Sequence, residues 1–371
     1  MAIGMEGREY TVVYFGPQHP GAPGNIAYKL WLDGERVVRA ELIPGFLHRG
    51  FEKMMENRTW EMNTVLSYRF CVEDPDNLEI AYALAVEEIF KVSIPENAKW
   101  IRMIQSEMSR IASHMFWVHF MAGSTGLRTP AFWASAAREE ILKWFARISG
   151  HRVYHNISVP GGIRYELPKN FVDDTLKVLE FVEERTRDVE AALLRNRVFR
   201  ARTVGLGRLT PDEAIQLGVT GPVLRATGLK YDTRLNVPYL NYDKVKFDVP
   251  TGSSGDSYDR AAVRFKEVYQ SISIIRQALE NIRLGEPLRV KVPMAAPPGE
   301  GVARVESARG EYMIHIISRG GRNPYRVRLK STSMPLLTTV VDYIIRKEEI
   351  TIADFPVLLA SLDPCAPDLD R

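Results

Sequence analysis

The first stretch of the chain is written in short β-branched and aromatic runs. Residues 10–15, Tyr-Thr-Val-Val-Tyr-Phe, lead into a turn rich in glycine and proline, Gly16-Pro17-Gln18-His19-Pro20-Gly21-Ala22-Pro23-Gly24. Two further runs, 26–32 and 36–43, flank Asp33-Gly34, a dipeptide suited to a tight hairpin. The period then changes. Residues 78–90 are apolar and alanine-rich, and a longer helix is expected from Pro95, with Ile101, Ile104, Met108, Ile111 and Met115 at three- and four-residue steps. Pro130 opens another expected helix ending near Gly150; two more are predicted over 171–195 and 258–283. Five long helices with no strands of similar weight between them predict a helical bundle. The pattern returns to strands over 302–306, 312–318 and 325–329, and closes with helices over 334–346 and 354–362. The expected fold class is α+β, a central long-helix bundle with small sheets from both ends. Its regions are a β region over 1–45, the bundle over 46–285 and a β/α region over 286–371 that completes one integrated domain.

Composition bounds the function. The chain has 371 residues, 45% hydrophobic and 26% charged, enough for a large core. A net charge of +3 from mixed signs does not call for nucleic acid as a partner. No apolar run approaches the roughly 20 residues of a membrane-spanning helix. The start, Met1 to Glu6, lacks the basic and apolar regions of a signal peptide, so a soluble chain in a reducing compartment is expected. There a structural disulfide between the two cysteines, Cys71 and Cys365, is not expected.

The candidate chemistry starts with those cysteines. Cys71-Val72-Glu73-Asp74 and Cys365-Ala366-Pro367-Asp368 are two Cys-x-x-Asp steps. Paired Cys-x-x-Cys steps let four thiolates converge on a metal; here each second position is a carboxylate. By themselves the two steps read first as unrelated residues. His19 in the polar loop reads as a functional group or as a buried, hydrogen-bonded turn residue. Glu107, Arg110 and His114 share one helix face and read as an ion-pair ladder or a functional set. His48 and Glu52, one turn apart, are a possible metal pair or a packed histidine beside a polar neighbour. Arg195, Arg197, Arg200 and Arg202 form a solvated helix end or a docking surface for an acidic partner. Gly205-Leu206-Gly207-Arg208 lacks the third glycine and the strand-turn-helix setting of a dinucleotide fingerprint, and no Walker-type loop occurs.

Read together, Phe15 to Pro20, Leu47-His48-Arg49-Gly50-Phe51-Glu52-Lys53, Glu107 to His114, Gly221 to Ala226, Glu306-Ser307-Ala308-Arg309-Gly310-Glu311, Pro324 to Arg328, Leu362-Asp363-Pro364 and Asp370-Arg371 occur in order and well spaced. The chain resembles, over roughly residues 10 to 371, the hydrogenase-like subunit family. That family includes the forty-nine-kilodalton subunit of respiratory complex I and the large subunit of membrane-bound nickel-iron hydrogenases.

The resemblance carries expectations. In the hydrogenases two Cys-x-x-Cys motifs hold nickel and iron, the first following an arginine (here Arg69) and the second following Asp-Pro (here Asp363-Pro364). Cys71, Asp74, Cys365 and Asp368 therefore occupy the ligand positions, and although 294 residues separate the cysteines they are expected to converge. Hard carboxylates do not replace thiolates for these metals, so no functional nickel-iron centre is expected, no cofactor is expected on this chain, and 4Fe-4S clusters are expected in partner subunits. In complex I the glycine-rich loop carries a second histidine and the first motif a tyrosine, which together contact the quinone headgroup; here those positions are Pro23 and Val72. The branch that fits is the membrane-bound sulfane (sulfur) reductase of heat-loving archaea. It implies ferredoxin as donor, an iron-sulfur small subunit beside the pocket, further peripheral and membrane subunits, ion pumping, polysulfide as acceptor, and a place on the cytoplasmic side of the membrane. Cys71 and Cys365 are then the sulfur-handling thiols, with Asp74, Asp368, Arg69 and His19 around them as electrostatic or proton-donating groups. A complex I-like quinone reductase with a rebuilt headgroup site, and a non-catalytic coupling scaffold, are the alternatives.

Overall fold

The strand-like runs at the amino end form an antiparallel meander in a computed structural model that describes residues 2–5, 8–22 and 24–371. Its strands are β1 (Ala2–Met5), β2 (Arg8–Phe15), β3 (Ala27–Asp33) and β4 (Arg36–Ile43), each paired with the next. Gly34 takes φ 60° in the hairpin, a backbone that costs glycine little.

Three helices follow, α1 (Phe51–Glu56), α2 (Trp60–Ser67) and α3 (Pro75–Phe90). The axis of the molecule is α4 (Glu96–Ser124), 29 residues and about 43 Å long. Against it pack α5 (Arg128–Ser149) and, further along the chain, α11 (Ser257–Leu279); α6 (Phe171–Leu194) closes the bundle on α5 and α11. A two-stranded ribbon, β5 (Ser158–Val159) and β6 (Gly162–Ile163), lies between α5 and α6. Four short helices, α7 (Arg197–Thr203), α8 (Pro211–Gln216), α9 (Gly221–Ala226) and α10 (Thr233–Asn236), bridge α6 to α11. The long hairpin β7 (Ala296–Ser307) and β8 (Gly310–Gly321), with β9 (Arg326–Lys330), lies on α3. The chain closes with α12 (Ser333–Pro335), a π turn, α13 (Val341–Lys347), α14 (Phe355–Leu362) and α15 (Ala366–Asp370).

The five long helices and both sheets are where periodicity placed them, and the α+β class holds. Two boundaries differ for physical reasons. The expected helix over 258–283 stops at Leu279 because Asn97 of α4 binds both backbone groups of Arg283, at 2.9 and 3.1 Å, and draws the chain off the helix axis. The expected helix over 334–346 is interrupted by a π turn over Leu336–Val340, where the hydroxyls of Thr338 and Thr339 bind the carbonyls of Met334 and Pro335, each at 2.7 Å. The short helices from α7 to α10 are too brief to leave a readable period.

Apolar packing crosses the region boundaries at 45 and 285. One cluster joins Phe15, Tyr28 and Leu30 of the first sheet to Leu337, Leu358 and Leu362 near the carboxyl end. Another joins α1–α3 to β7–β9 and contains both cysteines.

The polar stripe of α4 is buried rather than solvated. Glu107 binds Arg110 at 3.1 Å, Arg234 at 3.0 Å, Tyr242 at 2.6 Å and Ser271 at 2.6 Å. His114 does not continue that ladder; its Nε2 meets Glu267 at 2.9 Å, and Glu267 in turn holds Arg225 at 2.8 Å. Arg225 reaches Glu306 at 2.8 Å, which ties the bundle to β7. Burial opposes the charge on Glu107, but Arg110 and Arg234 with the two hydroxyls outweigh it and hold the carboxyl at about 2.

Glu107→Gln should therefore destabilise the fold by about 3–5 kcal/mol, because two buried guanidiniums lose their counter-charge. Since the folded carboxyl titrates below its unfolded value, its contribution is full above about pH 4.5 and fades as pH falls towards 2. Denaturant titrations of both forms across that range check this: the stability gap should shrink with acidification.

Candidate functional site

Two segments far apart in sequence are aimed at one point. The first is the bend from α2 to α3, which carries Cys71. The second is the bend from α14 to α15, which carries Cys365. The second is positioned from behind: Trp117 Nε1 of α4 donates to Ala360 O at 2.7 Å, and Arg264 Nη1 of α11 donates to Ser361 O at 3.2 Å. Asp363 then turns the chain with φ 56°, and Ser333 Oγ receives the Cys365 N–H at 2.9 Å.

Both thiols are free and buried, and they lie in one buried cluster, close enough to interact. That interaction, then burial, pushes the Cys365 thiol well above its usual range. The expected convergence of the two cysteines is present in the structure.

The carboxylates that share their motifs face elsewhere. Asp74 accepts from Asn77 at 2.8 and 3.1 Å, from Ser109 Oγ at 2.8 Å and from the Ala308 N–H at 2.7 Å. Asp368 accepts from Ser331 Oγ at 2.7 Å, Thr332 Oγ1 at 3.2 Å and the Ser333 N–H at 3.2 Å. Each is nearly enclosed and occupied by hydroxyl and N–H donors, so neither is offered to a metal. Among the described residues no group of three or more His, Cys, Asp or Glu side chains is arranged to hold a metal ion.

The group that reaches the thiols is Arg309, on the turn between β7 and β8. Its Nη1 lies 3.8 Å from Cys71 Sγ and 3.1 Å from Ser113 Oγ. Its Nε donates to Asp363 O at 2.9 Å and its Nη2 to Asp363 Oδ1 at 3.1 Å; Glu73 pairs with Nη2 as well. Burial works against the guanidinium charge, but Asp363 and Glu73 more than offset it and keep it protonated. Burial pushes Glu73 itself up to about 7, with Arg309 opposing. The turn comes this close because Gly310, at φ 129°, lies against α9: a Cβ there would stand 2.5 Å from Thr220 Oγ1 and 2.9 Å from Gly221 N.

The remaining expected residues divide. Arg69 is exposed, its guanidinium over Tyr68 and Tyr154 at 5.5 and 5.2 Å. Tyr154, half-buried, feels both thiols, and burial is the larger cause of its raised phenol pKa. His19 is also exposed; its Nδ1 accepts the Gly21 N–H at 3.1 Å and its ring lies 4.1 Å from Phe15, which serves the turn rather than the thiols. Pro23 lies outside the described residues. Val72 is 38% exposed and offers no hydrogen-bonding side chain. It borders a small cavity of about 10 Å3 lined by Glu73, Asp76, Arg138 and His155. His48 and Glu52 diverge, His48 Nδ1 meeting Asp370 O at 2.6 Å and Glu52 binding the Leu329 N–H at 3.0 Å, so they make no metal pair.

Arg309, Glu73 and Tyr154 are the site residues that sequence reasoning passed over. Arg309 stood in a motif already singled out, and Glu73 inside the first Cys-x-x-Asp step. Nothing near Tyr154 marked it.

The family profile of the respiratory-chain NADH dehydrogenase 49 Kd subunit matches residues 124–295 and 288–371. An NADH-quinone oxidoreductase subunit of Thermosipho melanesiensis is 42% identical over 97% of this chain and 99% of its own length. A subunit of the F(420)H(2) dehydrogenase of Methanosarcina mazei is 37% identical over 97% of each. Among solved structures, a chain of the membrane-bound sulfane sulfur reductase, an archaeal respiratory membrane complex, superposes with a TM-score of 0.93 at 37% identity over 98% of both chains.

Two substitutions probe the arrangement. Gly310→Ala should cost about 3 kcal/mol or more, through a disfavoured backbone and direct overlap with α9, read as a lowered denaturation midpoint. For Glu73 the folded pKa is raised, so the native state holds the proton more tightly and stability declines as pH climbs from about 4.5 through 7. Glu73→Gln should flatten that decline in melting temperatures taken from pH 5 to 8.

Proposed function

The chain belongs to the family of the 49 Kd subunit of the respiratory-chain NADH dehydrogenase; on that premise we propose that it is the chamber-forming subunit of a membrane respiratory complex that reduces sulfur chains. Among the described residues no helix is long and apolar enough to cross a membrane. In this reading the chain is a peripheral subunit, held on the cytoplasmic side by its partners. Reduced ferredoxin supplies electrons to the complex, and they reach this chamber through the iron-sulfur small subunit that covers it. Membrane subunits couple the reaction to ion pumping.

The observation that carries the reading is the contact between Cys71 and Cys365 beside Arg309, with both neighbouring carboxylates turned away. Such a pair suits sulfur–sulfur chemistry better than nickel-iron chemistry, because it presents two thiols and no further soft donors. In the proposed step the two thiols attack a sulfur–sulfur bond. That bond breaks, its two sulfurs leave with two electrons and two protons, and a Cys71–Cys365 bond forms. Two electrons from the small subunit and two protons then restore the thiols. Arg309 Nη1 faces the attacking sulfur of Cys71 at 3.8 Å, and Glu73, raised to about 7 by burial, is positioned to exchange a proton beside the same guanidinium.

A second reading draws on the names of the relatives, several of which are NADH-quinone oxidoreductase subunits. A quinone headgroup would need hydrogen-bond donors that Val72 does not supply, and Tyr154, a phenol within electrostatic reach of both thiols, would take that part.

The intact complex, assayed with reduced ferredoxin against polysulfide, a quinone analogue and protons, separates the readings; polysulfide should be the fastest acceptor. Replacing Cys71 and Cys365 together by alanine should lower polysulfide reduction by ~100-fold or more, and unchanged turnover would remove the thiols from the chemistry. Metal analysis of the purified complex should find no stoichiometric nickel.

A further inference from the structure

Several buried arginines are neutralised. Arg102, Arg110, Arg225, Arg234 and Arg309 each pair with a carboxylate within 3.1 Å. Arg49 and Arg69 do not: among the described residues neither has an acidic partner at ion-pair distance. They are nevertheless held in place. Arg49 Nη2 donates to Arg69 O at 2.9 Å while its guanidinium stacks over Phe51 at 4.3 Å. The Arg69 guanidinium stands over Tyr68 and Tyr154, whose rings stack 5.7 Å apart. Tyr154 adopts φ 65°, a backbone that a tyrosine keeps only where its surroundings hold it. Its phenol lies within electrostatic reach of Cys71, Cys365, Arg49 and Arg69 alike. Two exposed cations without an acidic partner and one half-buried phenol thus lie together, within electrostatic reach of the buried thiols.

We infer that Arg49, Arg69 and Tyr154 form an anion-selective mouth, which binds the charged end of a polysulfide dianion and directs its sulfur–sulfur bond at Cys71 and Cys365. This rests on the sulfur-chain reading and narrows it, because it names the ionic form of the substrate. A polysulfide is short, linear and negative at both ends. One end meets the two guanidiniums and the phenol, and Arg309 inside the chamber attracts the other. Neutral sulfur species and quinones gain nothing from uncompensated positive charge at this place.

The test uses the intact complex with two probes, sodium tetrasulfide and neutral dimethyl trisulfide, under steady-state turnover with reduced ferredoxin. Arg49→Gln should raise KM for tetrasulfide about tenfold more than KM for the trisulfide, and Arg49→Lys should recover most of the difference. Tyr154→Phe should shift the same ratio less. For the native complex, KM for tetrasulfide should rise with ionic strength and KM for the trisulfide should not. Equal shifts for both probes in Arg49→Gln, or no salt dependence, overturn the mouth while leaving sulfur-chain reduction standing. Dissociation of the Arg49→Gln complex on size exclusion, with Arg49→Lys intact, assigns the cations to a partner's carboxylates and overturns it as well. A native complex that reduces neither probe instead overturns the sulfur-chain reading itself.

Discussion

A guanidinium removed from water has to be surrounded by oxygen, and the surroundings of Arg309 organise the whole chamber. Its donors reach Asp363, just ahead of Cys365, Glu73, just behind Cys71, and Ser113 on the central helix. One buried cation thus joins the bend after α2, the bend after α14, the β7–β8 turn and α4. If any of these moved away, the charge would be left unpaired in a low-dielectric interior, which costs several kcal/mol. The close approach of Gly221 and Gly310 belongs to the same constraint, since only residues without a Cβ let the turn bring the arginine so far in.

The same rule governs the bundle. Glu107, Asp232, Glu267 and Glu306 alternate with Arg110, Arg225 and Arg234 along and across α4, so the core is held by matched charge as well as by apolar contact. Burial lowers the His114 pKa against the pull of Glu267, which keeps the imidazole neutral with one nitrogen committed to that carboxylate. Networks of this kind are costly to leave half-satisfied and therefore define a single arrangement. The thiols adjoin that network, because Arg110 donates to the carbonyls of Glu306 and Ser307 in the strand that leads to Arg309.

Asp74 and Asp368 occupy corresponding places in two halves of one site. Both gather hydroxyl and N–H donors around a buried carboxylate. The relatives of this chain carry names that span quinone, F(420)H(2) and sulfane sulfur chemistry on one scaffold. The scaffold of this chain is held by interactions away from the two thiols, so one fold is compatible with different chemistries among its relatives.

Residue order alone determined a good deal here. The periods of 3.6 and 2 located the five long helices and both sheets, because burial of one face repeats along each element whatever it packs against. The ordered motifs placed the two Cys-x-x-Asp steps at one site, since the resemblance relates positions that are 294 residues apart. Direction was not legible. Nothing local to Asp74 or Asp368 says that their carboxylates turn to Ser109 and Ser331 rather than to the thiols, or that Arg69 remains outside while Arg309 comes in. Nor does any pattern around Tyr154 bring it to the mouth, because its place depends on a left-handed backbone between α5 and the β5–β6 ribbon. Those outcomes depend on which donors other elements bring within about 3 Å, a property of packing between distant segments that only the tertiary structure decides.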